Sequence, residues 1–91
     1  MAKLSAHNRK ELARFSKETT VTNSQSIDWQ RETYAFMSDG HLLRKLDVRF
    51  KGSDLLPSEK HSYGWKDKGK PSSSIEDLRR ILLNRGFVEE K

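Results

Sequence analysis

Hydrophobic residues group most clearly between residues 28 and 51, where two runs rich in aromatic and β-favouring residues flank a Ser-Asp-Gly sequence at 38–40. Two such runs around a turn sequence predict a β-hairpin. In the second run, apolar residues such as Leu46 and Phe50 alternate with charged ones, and successive side chains of a strand point to opposite faces. The pattern therefore predicts one face toward a core and one toward solvent, with Arg44 interrupting the apolar face.

The hairpin turn can close in two ways, and the sequence leaves both open. A two-residue turn at Asp39-Gly40 pairs Met37 with Leu42, whereas a three-residue turn with Gly40 in the left-handed conformation directs two aromatic residues of the first run toward the core. In the first register an aromatic, apolar and basic group shares the exposed surface of the hairpin: Tyr34, Phe36, Leu43, Lys45 and Arg49.

Residues 5–18 predict an amphipathic helix, because Ser5 can cap its first turn and most interior residues are good helix formers. Its apolar stripe is thin and contains Leu12 and Phe15. Three cations fall at helical spacing on another side: Lys10, Arg14 and Lys17. Residues 19–27 are polar and rich in hydroxyl groups, which predicts a linker.

Two further elements follow the hairpin. Residues 60–67 alternate aromatic and imidazole side chains with small or charged ones, which predicts a third strand. Residues 73–85 predict a helix, since Ser73 and Glu76 form a capping-box sequence ahead of an apolar stripe. Gly86 has the position expected of a left-handed residue after the helix.

These elements predict an α+β fold in a single domain that spans residues 1–91. An N-terminal helix precedes a three-stranded antiparallel sheet built on the β-hairpin, and a C-terminal helix packs on one face of the sheet. The chain has 91 residues, so a second core is not expected.

Composition narrows the function classes. The chain has no cysteine, which excludes disulfides, thiolate zinc sites and a cysteine nucleophile. Hydrophobic residues are 33% of the total and charged residues 34%, and no apolar stretch approaches the length of a membrane span. The polar N-terminal sequence does not resemble a secretory signal. A cytoplasmic protein without a membrane partner is the expectation.

The net charge of +5 is concentrated in two segments. Residues 1–17 contain five basic side chains and one acidic one, and residues 60–70 contain four lysines and one aspartate. Clustered cations raise the local potential and attract polyanions more strongly than an even distribution does. This distribution indicates a nucleic acid, DNA or RNA, as partner.

The segment 60–70 also interleaves aromatic rings and glycines with its lysines, and such rings can stack on bases while ammonium groups meet phosphates. The leading hypothesis is a small basic, noncatalytic nucleic-acid-binding domain. Its candidate residues are Arg14, Lys17, Tyr63, Trp65, Lys66, Lys68 and Lys70.

A second hypothesis is a small modulator or inhibitor, phage-like or accessory, that docks on a host protein complex through the hairpin. Exposed apolar and aromatic residues on small domains mark such partners. The candidate anchors are Tyr34, Phe36, Leu43, Lys45 and Arg49. The sequence is compatible with a monomer or a homodimer.

Catalysis and metal binding have little support in the sequence. The three histidines, His7, His41 and His61, fall in different predicted elements without paired ligand spacing. No carboxylate cluster, nucleophile elbow or phosphate-binding glycine loop is present. The expectation is a protein with no catalytic residues, metal or cofactor.

Overall fold

The computed structural model describes residues 9–90 and shows one antiparallel sheet with a single helix in that range. The spatial order of the strands is β4-β3-β2-β1-β5, so four strands follow one another as a meander and the fifth returns to the free side of the first. The elements in chain order are β1 Glu11–Thr20, β2 Ile27–Met37, β3 Leu42–Phe50, β4 Glu59–Asp67, α1 Ile75–Asn84 and β5 Val88–Glu90.

The predicted N-terminal helix is wrong, and so is the three-stranded sheet. Residues 11–20 form strand β1, while residues 5–8 of the predicted helix lie outside the described range. Ala13 and Phe15 alternate with Arg14 and Ser16, so period two places both apolar side chains on one face. Pairing with β2 on one side and β5 on the other satisfies the backbone of β1 and overrides its helix propensity.

The predicted hairpin is formed by β2 and β3, and it adopts the second of the two registers. Phe36 pairs with Leu42, and the amide of Met37 donates to the carbonyl of His41 at 2.9 Å, which leaves a three-residue turn. Gly40 in this turn has a φ of 89°, a left-handed conformation that glycine adopts without steric cost. The predicted third strand lies at β4, the outermost strand beside β3.

The pairing register divides the sheet into two faces. The inner face holds Phe15, Tyr34 and Arg44, which lie in one row across β1, β2 and β3. The outer face holds the alternate residues, including Lys45 and its partner Trp65 on β4. No helix covers the outer face within the described residues.

Helix α1 packs against the inner face, but it covers only the half near β1. Ala13, Phe15, Leu82 and Phe87 form the buried cluster, and the ring centroid of Phe87 lies 5.5 Å from that of Tyr34. The sequence predicted that this helix would cover the core face of the sheet. The correction arises because the helix returns into β5 at the β1 edge, far from β3 and β4.

The ends of α1 explain its position. Ser74, not the predicted Ser73, is the N-cap, and its hydroxyl accepts the amide of Asp77 at 3.1 Å. At the other end Gly86 has a φ of 95°, and the Phe87 amide donates to the Leu82 carbonyl at 3.0 Å. This cap turns the chain back so that Phe87 enters the core and β5 begins one residue later. With ten residues and several charged side chains, α1 is too short and too polar to span a bilayer, and residues 9–90 contain no other helix.

Candidate nucleic-acid interface

The uncovered half of the inner face contains an open groove along β3 and β4, here called the β3–β4 groove. Its volume is about 450 Å³. The apolar residues are contributed by β2, β3 and β4: Ile27, Leu46, Val48, Phe50 and Tyr63. Polar and charged side chains also line the groove, among them Gln30, Arg44 and Lys66. The alternation that the sequence shows in the hairpin therefore produces a surface depression here, since no helix lies over this part of β3.

Arg44 lies at one end of the β3–β4 groove and is held from the covered half of the face. Its Nε donates to Glu32 Oε2 at 2.6 Å, and the hydroxyl of Tyr34 donates to the same oxygen at 3.2 Å. The hydrogen bond to Glu32 and the neighbouring charge raise the pKa of Arg44, against the effect of its partial burial. The guanidinium is therefore a fixed positive charge. The side chain lines the groove, and the terminal nitrogens of a guanidinium can donate hydrogen bonds to an anion.

The lysines of residues 60–70 differ from the arginines in their electrostatic surroundings. Most arginines in the described part of the chain have a carboxylate partner. Among residues 9–90, no ion pair involves any of the four lysines on β4 and in the loop after it: Lys60, Lys66, Lys68 and Lys70. All four are exposed. The β4 edge consequently has uncompensated positive charge, although Lys60 is directed to the outer face, where its Nζ lies 4.9 Å from the ring centroid of Trp29.

Three rings form a cluster at the other end of the groove. The ring of His61 lies 4.6 Å from that of Tyr63 in an edge-to-face arrangement and 6.3 Å from that of Phe50. Tyr63 is 53% exposed although it borders an apolar surface. An exposed, laterally supported ring is suited to stacking on a planar group.

Trp65, a predicted stacking residue, lies on the outer face, opposite to Tyr63. Its ring centroid is 5.3 Å from the guanidinium carbon of Arg14 and 5.0 Å from Lys45 Nζ. The structure thus brings Trp65 and the predicted phosphate ligand Arg14 together. However, Arg14 forms a two-pronged pair with Glu11 at 2.7 and 3.0 Å, and Trp65 is already flanked by two cations of the chain.

The remaining predicted nucleic-acid residues fall in two places. Tyr63 and Lys66 border the β3–β4 groove, and Lys68 and Lys70 follow in the loop after β4. Lys17 is separate from them, since its Nζ donates to the Arg85 carbonyl at 2.7 Å at the end of α1. Within the described residues, Lys17 therefore does not join the lysines of residues 60–70.

The anchors predicted for protein docking are also divided between the faces. Tyr34 and Phe36 lie on the inner face and pack against the core under α1. Leu43, Lys45 and Arg49 lie on the outer face. The three-residue turn causes this separation, because it shifts the first strand of the hairpin by one residue relative to the register that would join them.

The loop after β4 is fixed by a cluster of charges around Asp67. His41 Nδ1 lies 2.9 Å from the Asp67 carboxylate, the Gly69 amide donates to it at 2.8 Å, and Arg9 lies 3.1 Å away. These contacts, with the His41 hydrogen bond foremost, lower the pKa of Asp67 to about 2. The cluster holds the start of the lysine-bearing loop against the hairpin turn.

Sequence reasoning missed Arg44, Gln30 and the groove itself. The alternation in β3 predicts core residues that a helix covers. Arg44 interrupts that apolar face and is the available signal, since a charged residue among inward-facing positions often marks an incompletely covered surface. The position of α1 could not be read from the same pattern.

Neither metal binding nor a known family offers another starting point. Among residues 9–90 no group of three or more His, Asp or Glu side chains is placed to hold a metal ion. No protein-family model matches the chain, and comparisons with curated proteins and with solved structures gave no match. The chemistry of the surface is therefore the guide to function.

Proposed function

We propose that this protein is a noncatalytic module that binds nucleic acid along the β4 edge of its sheet. The carrying observation is that Lys66, exposed and without a carboxylate partner, lines a groove bordered by aromatic rings, and that Lys68 and Lys70 follow it in the loop after β4. Lysine contacts to phosphates release counterions and supply most of the sequence-independent affinity for nucleic acids. Aromatic rings beside those contacts can stack on bases, so they favour a nucleic acid over a polyanion that has no bases.

The positions of Lys66 and Lys68 support this proposal in particular. Lys66 pairs with Arg44 across β3 and β4, so its side chain is on the inner face at the cationic end of the groove. Lys68 follows at the end of the strand, where its amide donates to the Leu42 carbonyl at 2.8 Å. This bond fixes the backbone of Lys68 two residues after Lys66, at the end of β4 that adjoins Arg44.

The test is the salt dependence of oligonucleotide binding by the double variant Lys66→Gln/Lys68→Gln, measured by fluorescence anisotropy. Each lost phosphate contact reduces the slope of log affinity against log salt by about 0.7 for a single strand, so the double variant should lose roughly 1.4. Its affinity at low salt should fall about tenfold or more.

The matched control is Arg80→Gln/Arg85→Gln, which removes the same charge from exposed positions on α1 and at its C-cap, at the far edge of the sheet. This control should retain nearly the full salt slope. The proposal fails if the wild-type protein does not bind at low salt. It also fails if both double variants lose affinity equally, because net charge alone would then explain the binding.

A second candidate function, protein docking, has support from the outer face. Trp29 there lies between Arg31 and Lys60, at 5.5 and 4.9 Å, as Trp65 lies between two other cations. Tryptophan and arginine are enriched in the centres of protein interfaces, and the charges on this face are mostly paired. A surface whose charges are mostly neutralised by partners and which presents tryptophan rings suits a protein partner better than a polyanion.

The two candidates are separated by variants on opposite faces. A protein partner of the outer face should be lost in Lys45→Ala/Arg49→Ala and retained in Lys66→Gln/Lys68→Gln, with little change between low and physiological salt. Isothermal titration with a purified partner measures this difference. Equal loss in both variants would exclude the outer face as the docking surface.

A further inference from the structure

We propose that the β3–β4 groove receives one unpaired nucleobase of a single strand, with the adjoining phosphate at the end formed by Arg44 and Lys66. This inference rests on the proposed nucleic-acid function and specifies the form of the ligand. It predicts a preference for single strands over duplexes, and it gives the groove a role that the lysines alone do not supply.

The floor and wall of the groove match a planar apolar group. Val48 is 4% exposed and closes the floor, while Leu46 lies beside it on the same face of β3. Tyr63 stands at the border and is 53% exposed, so one side of its ring can meet a base without any rearrangement of the core. A groove of about 450 Å³ is at the small end of ligand sites and accommodates a base more readily than a large apolar side-chain cluster.

Polar groups are placed where a nucleotide has them. The side-chain amide of Gln30 borders the groove and makes no hydrogen bond within the described residues, so it can donate and accept at the edge of a base. The guanidinium of Arg44 and the ammonium of Lys66 line the same end of the groove, and Lys66 forms no ion pair within residues 9–90. The groove is therefore apolar in the middle and cationic at one end, which is the arrangement of base and phosphate in a nucleotide.

Charge complementarity favours this occupant over a second copy of the chain or a neutral apolar segment. Lys66 and Lys68 lie beside the groove without carboxylate partners in residues 9–90, and the nearby carboxylate of Glu32 is already bonded to Arg44 and Tyr34. A neutral segment would leave these cations unpaired on burial, which costs free energy. A phosphodiester compensates them.

A duplex cannot use the groove in the same way. The bases of a duplex are paired and stacked, so their faces are not exposed to a ring such as that of Tyr63. A duplex can still contact the lysines through its phosphates. Removal of the bases should therefore weaken binding if the groove takes part, and should leave the affinity unchanged if only the lysines bind.

The experiment compares decathymidylate with an abasic strand of the same length and charge, by fluorescence anisotropy at one salt concentration. The wild-type protein should bind decathymidylate about tenfold more tightly, because base stacking on an aromatic side chain adds to the phosphate contacts. Tyr63→Ala should reduce this ratio to near one while leaving the affinity for the abasic strand unchanged. The exposure of Tyr63 makes the variant compatible with folding, which thermal unfolding verifies.

Leu83→Ala is the matched control, since Leu83 is 46% exposed on α1 and distant from the groove. It should retain the tenfold ratio. Equal binding of the two strands by the wild-type protein, with a steep salt dependence, overturns the inference and leaves the lysine edge intact. Tighter binding of a duplex than of decathymidylate also overturns it. Absence of binding to every strand overturns the proposed function itself.

A second variant tests the contact to the edge of the base independently. Gln30→Ala should lower the affinity for decathymidylate by about threefold or more and leave the abasic strand unaffected, because a hydrogen bond to a base edge is lost. Lys66→Gln should weaken both strands equally. If Gln30→Ala weakens both strands equally, the base does not lie in the groove.

Discussion

The two halves of the inner sheet face are built from the same kind of alternating sequence but differ in what lies over them. Over β1 and β2, α1 and Phe87 reduce the exposure of Phe15 to 2%. Over β3 and β4 no element of the described chain packs, and Tyr63 remains 53% exposed. Apolar alternation therefore indicates a surface to be buried, but it does not say whether the protein itself or a ligand buries it.

The largest expected difference between the two halves is in how much a substitution in each lowers the free energy of unfolding. Phe15→Ala should lower the free energy of unfolding by about 3–5 kcal/mol, because it removes a buried ring from the covered half and leaves a cavity. Tyr63→Ala in the uncovered half should change it by less than about 1 kcal/mol. Urea denaturation at one temperature measures both values. Similar losses would show that the two halves are equally important to the core.

The boundary between the halves is tested by Glu32→Gln. Its carboxylate joins Tyr34 of the covered half to Arg44 of the groove, so the variant should cost about 1–2 kcal/mol of stability, less any part that solvent screens. Burial and the neighbouring Glu32 together raise the pKa of Tyr34. Loss of the charge should therefore move the pKa of Tyr34 down toward its ordinary value, which ultraviolet titration of tyrosinate detects. An unchanged pKa would mean that burial alone is responsible.

The anchoring of the covering helix is tested by two neighbouring serines. Ser74→Ala should destabilise the protein by about 1 kcal/mol, because the hydroxyl that accepts the Asp77 amide is lost. Ser73→Ala is the control and should be nearly neutral. Thermal unfolding distinguishes them. A larger effect at Ser73 would restore the cap that the sequence had predicted.

The smallest effect is expected from acid, in the uncovered half. The pKa of Asp67 is about 2 in the folded protein, below its ordinary value of 3.8. A lowered pKa contributes stability above pH about 4, and this contribution is lost as the pH falls from about 4 toward 2. The protection of amides against exchange, relative to the intrinsic rate at each pH, should therefore fall in the loop after β4 over that interval before it falls in β1. Asp67→Asn should remove this early step, and a simultaneous fall in the loop and in β1 would contradict it.

Several features of the fold followed from local chemistry. The Ser-Asp-Gly turn and its flanking runs indicated the hairpin of β2 and β3, and the apolar stripe with Gly86 indicated the C-terminal helix. The site was less predictable. Lys66 and Tyr63 were identified from their segment, whereas Arg44 and Gln30 became part of the groove only through the packing of other strands.

The failure at residues 11–20 has a definite cause. Leu12 and Phe15 suggested a helical stripe, but Leu12 is 58% exposed and the buried pair is Ala13 and Phe15, at strand spacing. A short segment with few apolar residues fits both periods, so local propensity decides little. Its partner β2 follows after a short connection, but its other partner β5 is reached only after β4 and α1.

The sequence by itself determined the location of the hairpin turn, the glycine that ends α1 and the alternation of polar and apolar side chains in the hairpin, because these depend on the conformations of a few adjacent residues. The tertiary structure decided the pairing of β1, the hairpin register and the half of the sheet that α1 covers. These depend on contacts between segments that are separated in the sequence, and such contacts form only when the chain becomes compact. The groove exists because these contacts place the one described helix at the β1 edge and leave β3 and β4 uncovered.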